Sequence, residues 1–107
     1  MLPVPEHRLN ILLKALVSLQ TSAEYQAFLE DVCTIKEVQD VAQRLEVAQL
    51  LKAGKNYLEI SKETGASTAT ISRVNRCLTY GSGGYRTVLD RMDEDCSAQH
   101  EPTGEKT

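Results

Sequence analysis

Apolar residues recur along this chain with the spacing of an α-helix, and no β-hairpin signal appears. In the first predicted helix, from about Glu6 to Leu19, they stand near positions i, i+3, i+4 and i+7. They are Leu9, Leu12, Leu13, Leu16 and Val17. The preceding residues 1–6 hold two prolines and are expected to form an irregular arm. The pattern therefore predicts an all-α fold.

Two capping boxes predict where the next two helices begin. Thr21-x-x-Glu24 precedes a second helix, and Thr34-x-x-Glu37 precedes a third helix that we expect to end at Gly54. The apolar residues of the third helix cover more than one of its faces. Such a helix is typically central and buried on several sides.

The segment from about residue 56 to residue 80 predicts a helix-turn-helix. Asn56-x-x-Glu59 caps a short fourth helix that stops at Gly65, and Ser67 caps the fifth. A glycine permits the left-handed backbone that a tight turn between two helices needs. The expected buried line of the unit comprises Ile60, Ala66, Ile71, Val74 and Leu78.

After the fifth helix, the glycine-rich residues 81–84 predict a break, and residues 85–92 predict a short sixth helix. From Cys96 onward the chain is polar without apolar periodicity. We therefore predict a disordered acidic tail over residues 96–107 and one helical domain over residues 1–95.

The fifth helix carries the candidate chemistry of the chain. Hydroxyls bond bases or phosphates, methyl groups contact thymine, and arginine binds guanine or neutralises phosphate. A small helix with such side chains fits the major groove of duplex DNA. The candidate DNA-binding residues are Ser67, Thr68, Ala69, Thr70, Ser72, Arg73 and Arg76.

Charge is distributed unevenly, and this changes the meaning of the formal net charge of −3. Residues 1–65 carry seven basic and nine acidic residues, which gives −2. Residues 66–91 carry four arginines and one aspartate, which gives +3, and residues 92–107 give −4. The positive charge lies where the candidate DNA-binding helix lies, and local charge attracts phosphates more than net charge does.

Composition narrows the remaining possibilities. Helical hydrophobics in 107 residues give a thin monomer core, which burial by a partner subunit would help. Three widely spaced cysteines argue against a disulfide framework and fit a reducing cytoplasm, and Cys33 and Cys77 are expected to be small core residues. We see no metal-ligand spacing, no nucleophile–base pair and no phosphate-binding loop, so we expect neither a bound metal nor enzymatic activity. We see no apolar run long enough to span a membrane, so we expect no membrane partner.

Two long motifs resemble those of the Trp repressor superfamily, most closely its Trp-repressor-related YerC/YecD-type branch. They are FLEDVCTIKEVQDVAQRLEVAQLL (Phe28 to Leu51) and ETGASTATISRVNRCLTYG (Glu63 to Gly81). The resemblance covers roughly Leu9 to Met92. It implies a six-helix, intertwined homodimer that acts as a bacterial transcriptional regulator. By analogy with the family, this regulator would be a repressor. The two DNA-reading helices would then lie about 34 Å apart.

The resemblance also implies a candidate small-molecule site. Arg44 and Arg73 match the two arginines between which the Trp repressor holds its free amino acid, and Thr34 matches a ligand-contacting threonine. Two positions depart from the family: Val74 replaces a glycine beside the indole, and Cys77 replaces a serine near the amino group. A corepressor is thus an open possibility, and the bulk of Val74 argues against tryptophan.

Three alternatives remain open from the sequence. The same helical dimer would serve as a protein-interaction module without DNA, because Tyr57, Leu58 and Ser61 replace polar phosphate-contacting residues of the family. The other two alternatives concern the candidate ligand site and leave DNA binding in place. Arg44 would pair with Glu46 or with an acidic residue of a neighbouring helix instead of a ligand. Arg73 would contact phosphate instead of a corepressor.

Overall fold

The computed structural model describes the backbone of residues 3–99 and the side chains of residues 3–94. Over that range the protein is all-α, as predicted. Its six helices are α1 (Glu6–Ser18), α2 (Ser22–Val32), α3 (Ile35–Lys52), α4 (Tyr57–Thr64), α5 (Thr68–Tyr80) and α6 (Gly84–Gln99).

The N-terminal caps predicted for α3, α4 and α5 are confirmed. Thr34 and Asn56 form complete capping boxes, in which the carboxylates of Glu37 and Glu59 accept from the backbone N–H of the capping residue. Ser67 accepts from the N–H of Thr70 at the start of α5. Each bond gives a partner to an N–H that a helix start leaves without one.

The box at Thr21 differs in one bond. The hydroxyl of Thr21 accepts from the N–H of Glu24 at 3.1 Å, as expected. The carboxylate of Glu24 instead accepts from the N–H of Gln20 at 2.8 Å, one residue before the cap. The second helix therefore begins as predicted, and its capping box reaches one residue further back.

The end of α3 also follows the prediction. Gly54 has a positive φ of 88°, its N–H donates to the carbonyl of Leu51, and the N–H of Lys55 donates to the carbonyl of Leu50. These two bonds are those of a Schellman motif. The chain thus turns sharply between α3 and α4.

The core of the described part of the chain is formed between residues 47 and 89. Its buried side chains come from α3, α4, the turn, α5 and α6. They are Val47, Ala48, Ile60, Ala66, Ile71, Val74 and Leu89. The helix-turn-helix is therefore braced from two sides, by the end of α3 and by α6.

The N-terminal helices bury little within one chain. Neither α1 nor α2 has a buried residue. The prediction for α3 is correct only for its second half, because Ile35 is 78% exposed and Val41 57% exposed. No helix of the described residues covers these side chains, so the expected burial on several sides is wrong for the first half of α3.

The last helix is longer than predicted. It begins at Gly84 and continues to Gln99, seven residues beyond the predicted end at Met92. The segment 96–107 was predicted to be disordered, and its first four residues belong to α6 in the structure. That part of the prediction is wrong. The rest of the predicted tail, residues 100–107, lies outside the described residues.

An ion-pair cluster ties α6 to the end of α3. The Nζ atom of Lys52 lies 2.9 Å from Oδ1 of Asp90 and 2.7 Å from Oδ2 of Asp93. The hydrogen bond to Asp93, followed by that to Asp90, raises the pKa of Lys52 above its ordinary value. These contacts, with the buried Leu89, set α6 on the core.

Candidate nucleic-acid interface

The turn between α4 and α5 has the geometry that the sequence predicts. Gly65 has a φ of 76°, a left-handed conformation that favours glycine. Ile60, Ala66, Ile71 and Val74 are buried on the packed side of the unit. These four buried apolar side chains hold the two helices together as one unit.

Side-chain hydrogen bonds complete this turn, and two of them were not predicted from the sequence. Ser61, expected only to be small, donates its hydroxyl to the carbonyl of Ala66 at 3.0 Å. Gln43 on α3 donates to the carbonyl of Thr64 at 3.1 Å. The Thr64 hydroxyl donates to Ile60 and accepts from the N–H of Ala66. Because the turn carbonyls and N–H groups have partners, α5 leaves the turn in one direction.

The outer face of α5 carries most of the candidate DNA-binding residues. Thr68, Ala69, Arg73 and Arg76 are exposed, while Ser72 is partly exposed. Ser67 and Thr70 contribute to the start of the helix as well, because the Ser67 hydroxyl also donates to the Thr70 hydroxyl at 3.1 Å. The structure thus places all seven residues on α5 or at its cap, with five directed outward.

The electrostatics of this face favour an anion. No acidic residue occurs between Ala66 and Leu89. The N-terminal end of a helix also carries a partial positive charge, which α5 does not neutralise with an acidic first turn. Phosphate oxygens fit such a surface.

The five candidate ligand residues are spread over two helices. Arg44 is partly exposed on α3, while Arg73 and Cys77 are exposed on α5, and Val74 is 1% exposed in the core. Thr34 caps the start of α3, roughly 15 Å from Arg44 along the helix axis. One chain therefore does not bring Thr34 and Arg44 to one small ligand.

The cysteines differ from the expectation of small core residues. Cys77 is exposed on α5, so the prediction of burial is wrong for it within one chain. Cys33 is intermediate.

Two clefts lie outside this set of residues. A cleft of about 370 Å³ lies among α3, α5 and α6 and includes Lys52, Asn75 and Arg86. A larger, mainly apolar groove of about 1150 Å³ lies among α2, α3 and α6. Its apolar lining consists of Tyr25, Leu29, Val38, Leu45, Val88 and Met92.

No helix in the described part of the chain has both the length and the apolar character needed to cross a membrane. Among the described residues, no three His, Cys, Asp or Glu side chains gather where they would hold a metal ion.

The fold and this face define a helix-turn-helix protein. A family profile described as "Trp repressor protein" matches residues 7–93. The chain belongs to the Trp repressor family, in its YerC-type branch. It is 52% identical over 86 residues to the protein YerC of Bacillus subtilis (strain 168), and the match covers 80% of this chain and 83% of YerC.

Solved structures agree with this assignment. A TrpR-like protein from Eubacterium eligens ATCC 27750 is 48% identical, with a TM-score of 0.78 over 81% of this chain and 90% of that one. A candidate Trp repressor from Staphylococcus aureus is 45% identical, with a TM-score of 0.78 over 81% of this chain and 87% of that one. The six-helix Trp-repressor-like fold predicted from the sequence is confirmed.

Proposed function

We propose that this protein is a homodimeric transcriptional regulator, a repressor, that binds duplex DNA selectively through α5. The proposal rests on the difference in solvent exposure between the two sides of α5. Its inner side, with Ile71 and Val74, is buried, and its outer side presents Thr68, Ala69 and Arg73 to solvent. A groove-reading helix needs this arrangement, because only a fixed helix holds its side chains at constant distances from base edges.

Different residues of α5 have different roles in this proposal. Thr68 and Ala69 lie in the first turn, where recognition helices meet base edges. Ser72 and Arg73 follow one turn later, and Arg76 follows Arg73 by three residues on the same side of the helix. We assign base reading to Thr68, Ala69 and Ser72, and phosphate or guanine contact to Arg73 and Arg76.

The second copy in this proposal covers the apolar surface of the N-terminal half. An isolated helix of 13 residues is marginal in water, and α1 has that length with no buried residue. The groove among α2, α3 and α6 has an apolar lining, which suits the apolar face of such a helix. A second copy that lays its own apolar helices there would pair the two α5 helices about one DNA turn apart.

A selection from genomic fragments with the purified full chain tests the DNA-binding proposal. We expect enrichment of duplexes with two related half-sites, and an affinity that falls steeply with salt. Arg73→Ala should weaken binding, while Lys36→Ala, a charge-matched control with its side chain 81% exposed in the first turn of α3, should not. If no duplex is enriched at low salt, the proposal is wrong.

A protein-interaction module without DNA is the second candidate, and one observation favours it. Leu58 on α4, the helix that precedes the turn, is 67% exposed. An apolar side chain there suits a protein surface better than a phosphate. Stoichiometric co-purification of a protein that Arg73→Glu releases would support this candidate over DNA.

The corepressor question forms a separate part of the proposal. We infer that operator binding does not require tryptophan, because the Val74 side chain is part of the packed core where a ligand ring would need space. A different small molecule held by Arg44 and Arg73 of one copy, with Thr34 of another, stays a possibility that the same selection tests. It is run with and without free amino acids.

A further inference from the structure

The C-terminal end of α5 is held by a residue from another helix. The last carbonyls of a helix have no N–H partner within it, and the final turn of α5 contains no basic residue. The Nε atom of Arg86, on α6, donates to the carbonyl of Leu78 at 2.9 Å, and its Nη2 atom lies 3.5 Å from the carbonyl oxygen of Thr79. Arg86 therefore supplies the positive charge that the negative end of the helix dipole favours.

The backbone conformation between α5 and α6 brings Arg86 to the C-terminal end of α5. A Cβ at Gly81 would lie 2.5 Å from the carbonyl oxygen of Cys77, so the backbone approaches α5 closer than any side chain allows. Gly83 follows with a φ of 91°. Half-buried Tyr85 and buried Leu89 then seat the first turns of α6 on the core.

The helix that carries Arg86, α6, is also attached to α3. Lys52, the last residue of α3, pairs with Asp90 and Asp93 on the following turns of α6. α6 thus connects the end of α5 to the frame formed by α3. Gln43 on α3 donates to the carbonyl of Thr64, the last residue of α4, and so ties the turn that precedes α5 to the same helix.

We propose that Arg86 is a positioning residue for the recognition helix, which fixes the direction of α5 and thereby its discrimination between DNA sequences, and which does not itself contact phosphate. The inference rests on the proposed function. α5 spans 13 residues, about 20 Å, so a small rotation about its C-terminal end moves the first turn by a larger distance. Contacts with bases depend strongly on the distance between a side chain and the base edge, whereas attraction to phosphates depends on distance much less.

The experiment compares the operator from the selection with a scrambled duplex of equal length, at several salt concentrations. For Arg86→Ala we expect a fall of roughly fivefold to tenfold in the preference for the operator. The salt slope should equal that of the wild type. Arg76→Ala is the contrasting variant, because loss of a phosphate contact flattens the slope by about 0.9.

Conservative variants separate positioning from general destabilisation. Arg86→Lys keeps the charge and a donor and should recover part of the preference. Lys36→Ala removes one positive charge from a side chain that is 81% exposed on α3 and should keep the full preference. If Arg86→Ala does not fold by circular dichroism, Arg86→Gln replaces it, because its amide keeps a donor without the charge.

The outcomes are distinguishable. A flattened salt slope for Arg86→Ala assigns a phosphate contact and overturns the inference, as does an unchanged preference in a folded variant. Equal loss of binding to both duplexes also overturns it, because a merely structural role lowers the active fraction without changing the ratio. If the wild type selects no duplex, the proposed function fails together with this inference.

Discussion

At the residue scale, the two arginines on the outer face of α5 carry the most direct consequence of the proposal. Arg73 and Arg76 are both exposed, and neither has an acidic neighbour on its own helix. Their charge is therefore available to an external anion. Arg86, by contrast, has its guanidinium directed at α5 itself. Equal formal charges on neighbouring residues thus have unequal roles.

Replacing Arg76 by alanine is expected to weaken DNA binding and to lower the slope of log affinity against log salt by about 0.9. The reason is that one fewer phosphate is neutralised. Titration of a labelled operator at four or more salt concentrations measures both quantities. An unchanged slope with weakened binding would instead assign Arg76 to base contact or to structure.

Val74 leads to a second prediction at this scale. Free tryptophan is expected to give no shift of the unfolding temperature, because the space beside α5 is filled by a side chain that is 1% exposed. Differential scanning calorimetry with millimolar tryptophan measures this. A stabilisation that rises with ligand concentration would contradict it and would assign a corepressor pocket to the dimer.

At the element scale, α4 depends on its cap more than the longer helices do. It has eight residues and one buried side chain, Ile60. Asn56→Ala removes the cap and is expected to lower the free energy of unfolding by about 1 kcal/mol. Urea unfolding measures the loss. Asn56→Asp is the matched control, since its carboxylate still accepts from Glu59 N–H, and a similar loss for both variants would show that the cap is not the cause.

The ion pairs of Lys52 predict a dependence on pH. The pKa of Lys52 is raised in the folded protein by hydrogen bonds to Asp93 and Asp90. The stabilisation is therefore fully present below the unfolded pKa, 10.5, and is lost as the pH rises through the folded value. Lys52→Met is expected to be slightly less stable than the wild type at pH 7, with a difference that shrinks at high pH and in salt. A difference that persists in both conditions would indicate packing instead.

Local chemistry explains which elements the sequence predicted. Caps at Thr34 and Asn56 and the left-handed glycine at Gly65 involve residues within four positions of one another, so their patterns are visible in one dimension. The end of α6 was missed because apolar periodicity stops at Met92, while the helix continues through acidic residues that periodicity does not register.

The missed site residues share a different property. The bond from Gln43 to Thr64 joins residues 21 apart, and the bond from Arg86 to Leu78 joins residues eight apart across a loop. Such contacts exist only after helices pack. The outer face of α5, in contrast, followed from the helical period once the buried line was known.

At the scale of the whole molecule, the exposed apolar face of α1 predicts a concentration-dependent stability. Leu12 lies between Leu9 and Leu16 on one stripe of α1 and is 43% exposed in a single chain. If a second copy covers it, Leu12→Asp should shift the protein to monomers and lower the unfolding temperature at micromolar concentration. Sedimentation measures the mass.

Asn10→Asp is the charge-matched control for this experiment, because it adds the same charge to the polar side of α1. It should leave the mass and the unfolding temperature unchanged. Equal sedimentation of wild type and Leu12→Asp as monomers would contradict the homodimer.

The position of the core along the chain has a consequence for synthesis. Within residues 3–94, all seven buried side chains lie at or after Val47, so the helices that leave the ribosome first contribute no fully buried side chain. In the proposed homodimer, α1 and α2 are expected to stay largely exposed until the helix-turn-helix has folded and a second chain has bound. Neighbouring nascent chains on one messenger would then be the nearest source of that second chain, and assembly would begin during translation.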